Sequence, residues 1–332
     1  MIGSDSRSGI HLVPARSLVC APVDVVFRLA PGDRALVSSG DSVVVGAPIA
    51  QRLRDPRLDE LTIPAAALPQ PGRRWTPSVD VRDGHPSGGE FVFGWRGRWR
   101  VATGDVADPL EVPFAGIVRE VRPGTAITVR AAGRGIRGIV ALGGPTRGRL
   151  QAGPDGELRP GALDVGAAGT ILVVGSRIDA ETLTRARAMG VRGVIVTGLS
   201  SKERRDYLAS EARQRSALHR LPPFAVLVME GAVRRPLAGA VVAVLTALVG
   251  QEVAIVADPP MLVFDAPGLH VPPPPPDLVR IRAGSLGGQE GRFIEAIGPR
   301  RFDGGVHLEA AMVRFPDGST AAVPLGDLER FV

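Results

Sequence analysis

Between Ala21 and Pro56 the hydrophobic positions come in short Val-rich runs, broken by turns at Pro31-Gly32-Asp33, Gly40-Asp41 and Gly46-Ala47-Pro48-Ile49. Closely spaced glycine turns with β-branched residues between them predict compact β structure. A second stretch of the same character runs from Val112 to Leu150, with Gly116-Ile117-Val118, Pro123-Gly124 and Ile127-Thr128-Val129. From Gly169 to Val256 the period changes. Ile171–Val174, Val194–Val196, Ala225–Val228 and Val253–Val256 are apolar runs suited to buried parallel strands. Helical patterns lie between them at Asp179–Met189, Ser201–Leu218 and Pro236–Leu248. Ser200 and Glu203 form a capping box for the second helix, Pro236 suits the first turn of the third, and Gly190 and Gly250 end the first and third. The expectation is a β-α-β-α-β-α-β unit with a parallel sheet.

Five consecutive prolines, Pro272 to Pro276, follow as a stiff spacer, and beyond them glycines 284, 288 and 291 stand between β-branched positions. Val313-Arg314-Phe315-Pro316-Asp317-Gly318 predicts a hairpin, and Ala322-Val323-Pro324-Leu325 with Leu328-Glu329 predicts a closing strand. The expected layout is an arm at 1–20, a β module at 21–160 with an insert at about 57–111, and an α/β domain at 161–268. A linker at 269–277 and a small barrel at 278–332 complete it. A chain of 332 residues has room for these several cores.

Composition narrows the function classes. Hydrophobic residues make up 44% but aromatics only 4%, so the cores are aliphatic. The net charge of +6 is carried almost entirely by arginine, Lys202 being the only lysine, which makes a polyanion a more natural partner than an acidic protein. A single cysteine, Cys20, excludes an intrachain disulfide and fits a cytoplasmic protein. No apolar stretch precedes Cys20, so a buried thiol is expected there. The most apolar run, Leu237 to Gly250, is about 14 residues, short of the roughly 20 that a bilayer crossing needs, and no membrane span is expected. His11, His85, His219, His270 and His307 are scattered without ligand spacing, so neither a metal nor any other cofactor is expected.

Several segments resemble known modules. Gly32-Asp33, Gly40-Asp41-Ser42-Val43 and Gly46-Ala47-Pro48-Ile49-Ala50 resemble the first half of a biotinyl/lipoyl-like barrel-sandwich hybrid. Val112-Pro113-Phe114-Ala115-Gly116-Ile117-Val118-Arg119-Glu120-Val121 resembles its second half. Carrier domains of that type bear a modified lysine between the halves; this chain has none there, so the resemblance implies the fold without a swinging-arm cofactor. The run Val279 to Ile294, with Gly284, Gly288 and Gly291, resembles the KOW motif of SH3-like barrels. Together with Ala188–Val196 and Leu227–Gly231, the chain resembles an uncharacterised bacterial family of KOW-domain proteins over roughly residues 21–332 apart from the Trp-rich insert, a resemblance that carries fold alone. The implied fold class is multi-domain: a barrel-sandwich hybrid, a central α/β parallel-sheet domain and a C-terminal SH3-like (KOW) β-barrel.

No residue set with the pattern of a catalytic apparatus appears. The candidate binding residues fall in two groups. Trp95, Arg96, Arg98, Trp99 and Arg100 interleave indole with guanidinium in the insert, and Arg280 and Arg282 flank the KOW motif; stacking and charge together suit RNA, the ribosome or RNA polymerase. A hairpin whose tryptophans cover a barrel has the same pattern, and a KOW barrel can equally dock protein, which leaves a protein-assembly scaffold as the alternative. The second group lies where the predicted parallel strands end: Ser176, Ser200, Ser201, Arg234 and Arg235 could hold the anion of a phosphorylated metabolite, in an enzyme or a sensor. Small residues at strand ends are also what tight turns require.

Overall fold

The computed structural model describes residues 10–29, 33–52, 61–62, 81–82, 85–86, 90–92, 98–102, 108–153, 165–175, 178–217, 221–232, 235–269 and 272–332. Among these the chain is mostly β-sheet, with three α-helices: α1 (Ala180–Ala188), α2 (Ser201–Ala217) and α3 (Gly239–Ala247).

The largest sheet has eight strands. Its order is Arg134–Arg137, Pro260–Phe264, Glu252–Ala257, Thr146–Gln151, Thr170–Val173, Gly193–Gly198, Ala225–Gly231 and Val140–Gly143. The four strands from Thr146–Gln151 to Ala225–Gly231 are parallel. Successive side chains alternate between faces. Ile171, Val173 and Ile195 therefore pack toward α3, with Val241, Val244 and Leu245. Leu172, Val174, Val194 and Val196 pack toward α1 and α2, with Leu183, Ala186 and Tyr207. Helices on both faces explain why Gly193–Gly198 is buried along its whole length.

Two expectations differ from this pairing. The run Val253–Val256 lies in an antiparallel strand, because Glu252–Ala257 folds back on Pro260–Phe264 through a two-residue turn and also lies against Thr146–Gln151. Arg134–Arg137, Val140–Gly143 and Thr146–Gln151, expected to continue the N-terminal β module, are hydrogen-bonded into the eight-stranded sheet. Short β segments carry their own strand character in sequence but not the address of their partner.

The second helix begins on the expected capping box, and the first is capped by Asp179, the residue that opens its helical pattern. Asp179 accepts from the Thr182 N–H at 2.7 Å, and Ser200 accepts from the Glu203 N–H at 3.2 Å while its hydroxyl bonds the Glu203 carboxylate. The third begins at Gly239 rather than Pro236. Ala238 is extended, at φ −58° and ψ 135°, and the Pro236 carbonyl is taken by the Arg280 guanidinium.

Upstream, two small sheets enclose one core. Val23–Arg28, Ala126–Ala131, Gly116–Arg122 and Ser42–Val43 form one, and Asp108–Glu111, Pro48–Arg52 and Arg34–Ala35 the other. Val43 and Ile49 from the first segment pack with Val118, Ile127 and Val129 from the second, and Ala254, Val256, Met261 and Val263 of the large sheet close the same cluster. The insert departs from Pro48–Arg52 and returns through Asp108–Glu111, two strands paired antiparallel to each other. A long excursion at the end of such a pair leaves the core intact.

A six-stranded sheet ends the chain. Its order is Ala15–Arg16, Leu328–Phe331, Leu278–Ile281, Glu290–Arg301, His307–Arg314 and Thr320–Pro324. Val279, Ile281, Phe293, Val313 and Leu328 fill its interior. The N-terminal arm is part of it: Ala15–Arg16 pairs parallel with Arg330–Phe331, and the Leu18 N–H donates to the Val332 carbonyl at 2.9 Å. Cys20, half-buried, then bridges to Gly135 in the large sheet, so the arm joins the C-terminal sheet to the large sheet.

Candidate functional site

The carboxyl ends of the parallel strands are where ligands gather in α/β sheets. Of the residues singled out there, Ser200 and Arg235 are engaged in the protein's own hydrogen bonds. Ser200 serves the capping box of α2, while Ser201, the first residue of that helix, is exposed. Glu230, near the end of Ala225–Gly231, forms an ion pair with Arg280 of the C-terminal sheet, the two side chains being 9% and 2% exposed. Arg280 also donates to the Pro236 carbonyl at 2.8 Å. Arg235 donates to the Arg282 carbonyl at 2.7 Å. Ser176 and Arg234 lie outside the described residues.

The C-terminal sheet thus sits over one end of the large sheet through the residues singled out for binding. Arg280 is buried and cannot meet a macromolecule. Arg282 has a side chain 56% exposed, with its guanidinium 3.9 Å from Glu329. Glu290 reaches across to accept from the Gly239 N–H at 2.8 Å. That bond supplies a carboxylate to the start of α3, whose capping residue Ala238 has no polar side chain. A negative charge there also complements the helix dipole. Neither partner of either bond could be assigned from sequence, because a lone Glu or Arg among 40 Lys and Arg and 34 Asp and Glu has no visible mate.

The three motif glycines are each required by local geometry. Gly284 and Gly288 have φ of +80° and +91°, a region that L side chains seldom occupy. A Cβ on Gly291 would stand 2.7 Å from the Arg314 carbonyl oxygen, so the paired strands approach too closely for any side chain. A Cβ on Gly288 would stand 3.0 Å from the Arg235 Cβ. The turn carrying the motif therefore faces the α/β layer.

In the insert, Arg98, Trp99 and Arg100 open the strand Arg98–Ala102, which pairs antiparallel with Leu61–Thr62 and with Glu90–Val92. Their side chains, and all of Trp95 and Arg96, lie outside the described residues. Among the described residues no group of three His, Cys, Asp or Glu could hold a metal ion, and no helix is long and apolar enough to cross a membrane.

A cleft of about 620 Å³ opens at the other end of the large sheet, between α2 and the N-terminal sheets. Sequence reasoning missed it, since its walls come from segments far apart in the chain. A scan against protein-family models finds no match for this chain, and a search of curated proteins finds no similar sequence.

Proposed function

We propose that this chain is a non-catalytic binding protein that works as an assembly scaffold. The observation that carries the reading is the buried Glu230–Arg280 pair, with the bonds Glu290 to Gly239 and Arg235 to Arg282 around it. These contacts hold the C-terminal sheet against the α/β layer through the turn that bears the motif glycines. A module held in this way presents its remaining faces at fixed angles, which is what a platform for a protein partner requires. The finer fold is part of the same proposal: a barrel-sandwich hybrid, a central α/β domain and an SH3-like KOW barrel. The shared core of residues 23–50 and 110–131 supports the first, and the conformations of Gly284, Gly288 and Gly291 support the last. A cytoplasmic location fits the single cysteine.

A second reading, binding to RNA, the ribosome or RNA polymerase, draws on the net charge of +6 and the exposed Arg282. The two separate by salt. Filter binding of single-stranded RNA at two salt concentrations is expected to show no association tighter than roughly 100 μM. Affinity capture from the source cell is expected to yield a stoichiometric protein partner that nuclease treatment does not release. Tight RNA binding with a steep salt slope would overturn the scaffold reading in favour of the second.

A further inference from the structure

We propose that the hairpin ribbon at residues 299–309 of the C-terminal sheet is a self-association surface, covered by the same ribbon of a second copy of this chain. This goes beyond the scaffold reading and does not depend on it, since it concerns the chain alone.

The ribbon is set apart by its pairing. Glu290–Arg301 pairs with Leu278–Ile281 only through residues 290–292, and His307–Arg314 pairs with Thr320–Pro324 only from Ala310 onward. Beyond those points Pro299–Arg301 and His307–Glu309 pair only with each other among the described residues. The Phe302 N–H donates to the Val306 carbonyl at 2.9 Å and carries the ladder to the turn. Every residue from Pro299 to Glu309 is exposed except Phe302, which is half-buried. A two-stranded hairpin is marginal in water by itself, and apolar cover is what this one lacks.

Side chains alternate between the two faces. Arg300 opposes Leu308 and Phe302 opposes Val306, so these four share one face, while Arg301 and His307 share the other. Leu308 and Val306 are 41% and 53% exposed. Arg301 folds back over the turn, its Nη2 standing 3.5 Å from the place of a Cβ on Gly305. Pro299 offers no N–H to a further strand, so association through that edge is disfavoured and the apolar face is left.

Charge selects the occupant. The ribbon carries Arg300 and Arg301 against Asp303 and Glu309, and none of these four side chains has an ion-pair or hydrogen-bond partner among the described residues. Its formal charge is zero, which gives a strongly acidic or basic partner no net attraction. A second copy does find a match. A two-fold axis through the Phe302–Val306 pair turns the ribbons head to tail and lays the Arg300 end of one on the turn of the other. Arg300 then meets the partner's Asp303 twice, on either side of a shared apolar centre. Such self-complementarity is what an isologous interface requires. A contact this small belongs to the weak class, below about 1,200 Å², and a dimer with a Kd of roughly 10–100 μM is expected.

Sedimentation velocity of the full chain from about 5 to 300 μM at low salt tests the proposal. A concentration-dependent dimer is expected. Arg300→Asp and Asp303→Arg each set like charges opposite one another, and each is expected to raise the Kd by about tenfold or more. Both positions are exposed, so the variants are expected to unfold thermally as wild type does. An equimolar mixture of the two variants places opposite signs at both contacts and is expected to recover the dimer, as is the variant carrying both changes. A chain that stays monomeric to ~300 μM would overturn the proposal. So would a dimer indifferent to either charge reversal, or failure of both the mixture and the double variant to recover it.

Discussion

Glu230, on the last parallel strand of the large sheet, and Arg280, on the first strand after the proline linker, neutralise each other where both side chains are nearly sealed from water. Burying two charges costs several kcal/mol per ion, returned only when geometry and further hydrogen bonds are good. The bond from Arg280 to the Pro236 carbonyl supplies part of that return. It also sets where α3 begins, because a carbonyl held by an arginine three residues before Gly239 is not folded into the helix. One pair therefore couples the C-terminal sheet to both a strand and a helix of the central layer.

The cap that Glu290 gives to α3 predicts an unusual dependence between two substitutions. Glu290→Ala removes the carboxylate from the Gly239 N–H and is expected to cost about 1 kcal/mol. Gly239→Ala normally gains helix propensity, up to about 1 kcal/mol. Here its Cβ would stand 2.9 Å from the Glu290 carboxylate and displace it. Urea unfolding should show Gly239→Ala stabilising in the Glu290→Ala background and neutral or destabilising in wild type. Stabilisation of equal size in both backgrounds would remove the cap from the account.

Glycines of the C-terminal module should differ sharply in tolerance. Gly291→Ala drives a methyl into the Val313 Cγ1, 2.6 Å away, and toward the Arg314 carbonyl. Its expected cost is roughly 1–3 kcal/mol. Gly326→Ala meets nothing within 4 Å and serves as the control, with a change within about 0.5 kcal/mol. Thermal unfolding of the two variants side by side checks the contrast.

One exposed ion pair gives a pH dependence whose sign is fixed. Arg130 donates twice to Asp24, at 2.7 Å each, and this hydrogen bonding, with the arginine's charge, holds the Asp24 carboxyl below its ordinary value. A depressed folded-state pKa contributes stability above the unfolded pKa of about 3.9, and the contribution is lost as pH falls through the folded value. Both side chains are well exposed, so the effect is small and screened by salt. Asp24→Asn should therefore lose stability slightly at neutral pH and low salt, with a shallower fall below pH ~4. A variant curve parallel to wild type through that range would contradict the assignment.

Much of the local structure is legible in the sequence. Asp179 and the Ser200–Glu203 box mark helix starts, and both are used. The glycines at 284, 288 and 291 mark positions where only glycine fits: a positive φ at the first two, and at Gly291 the next strand of the same sheet, 22 to 23 positions on. What sequence does not reveal depends on distant partners. Ala15 and Arg16 are too short a run to read as a strand, yet they pair with the end of the chain. Val253–Val256 reads as a buried strand whichever way it runs, and its direction is decided by the turn after Ala257. Arg280 reads as a surface arginine beside a binding motif. Only Glu230, some fifty positions earlier, makes it a buried one.

The most direct test of the joined architecture is a double-mutant cycle on Glu230 and Arg280, read by urea unfolding of the full chain. Glu230→Leu and Arg280→Met each leave one charge buried without its mate and are expected to cost about 3–5 kcal/mol. The double variant replaces the pair by apolar side chains of similar reach and is expected to lie within about 1 kcal/mol of wild type, or above it. Losses that simply add, with the double variant the least stable of the four proteins, would contradict a pair shared between the two sheets.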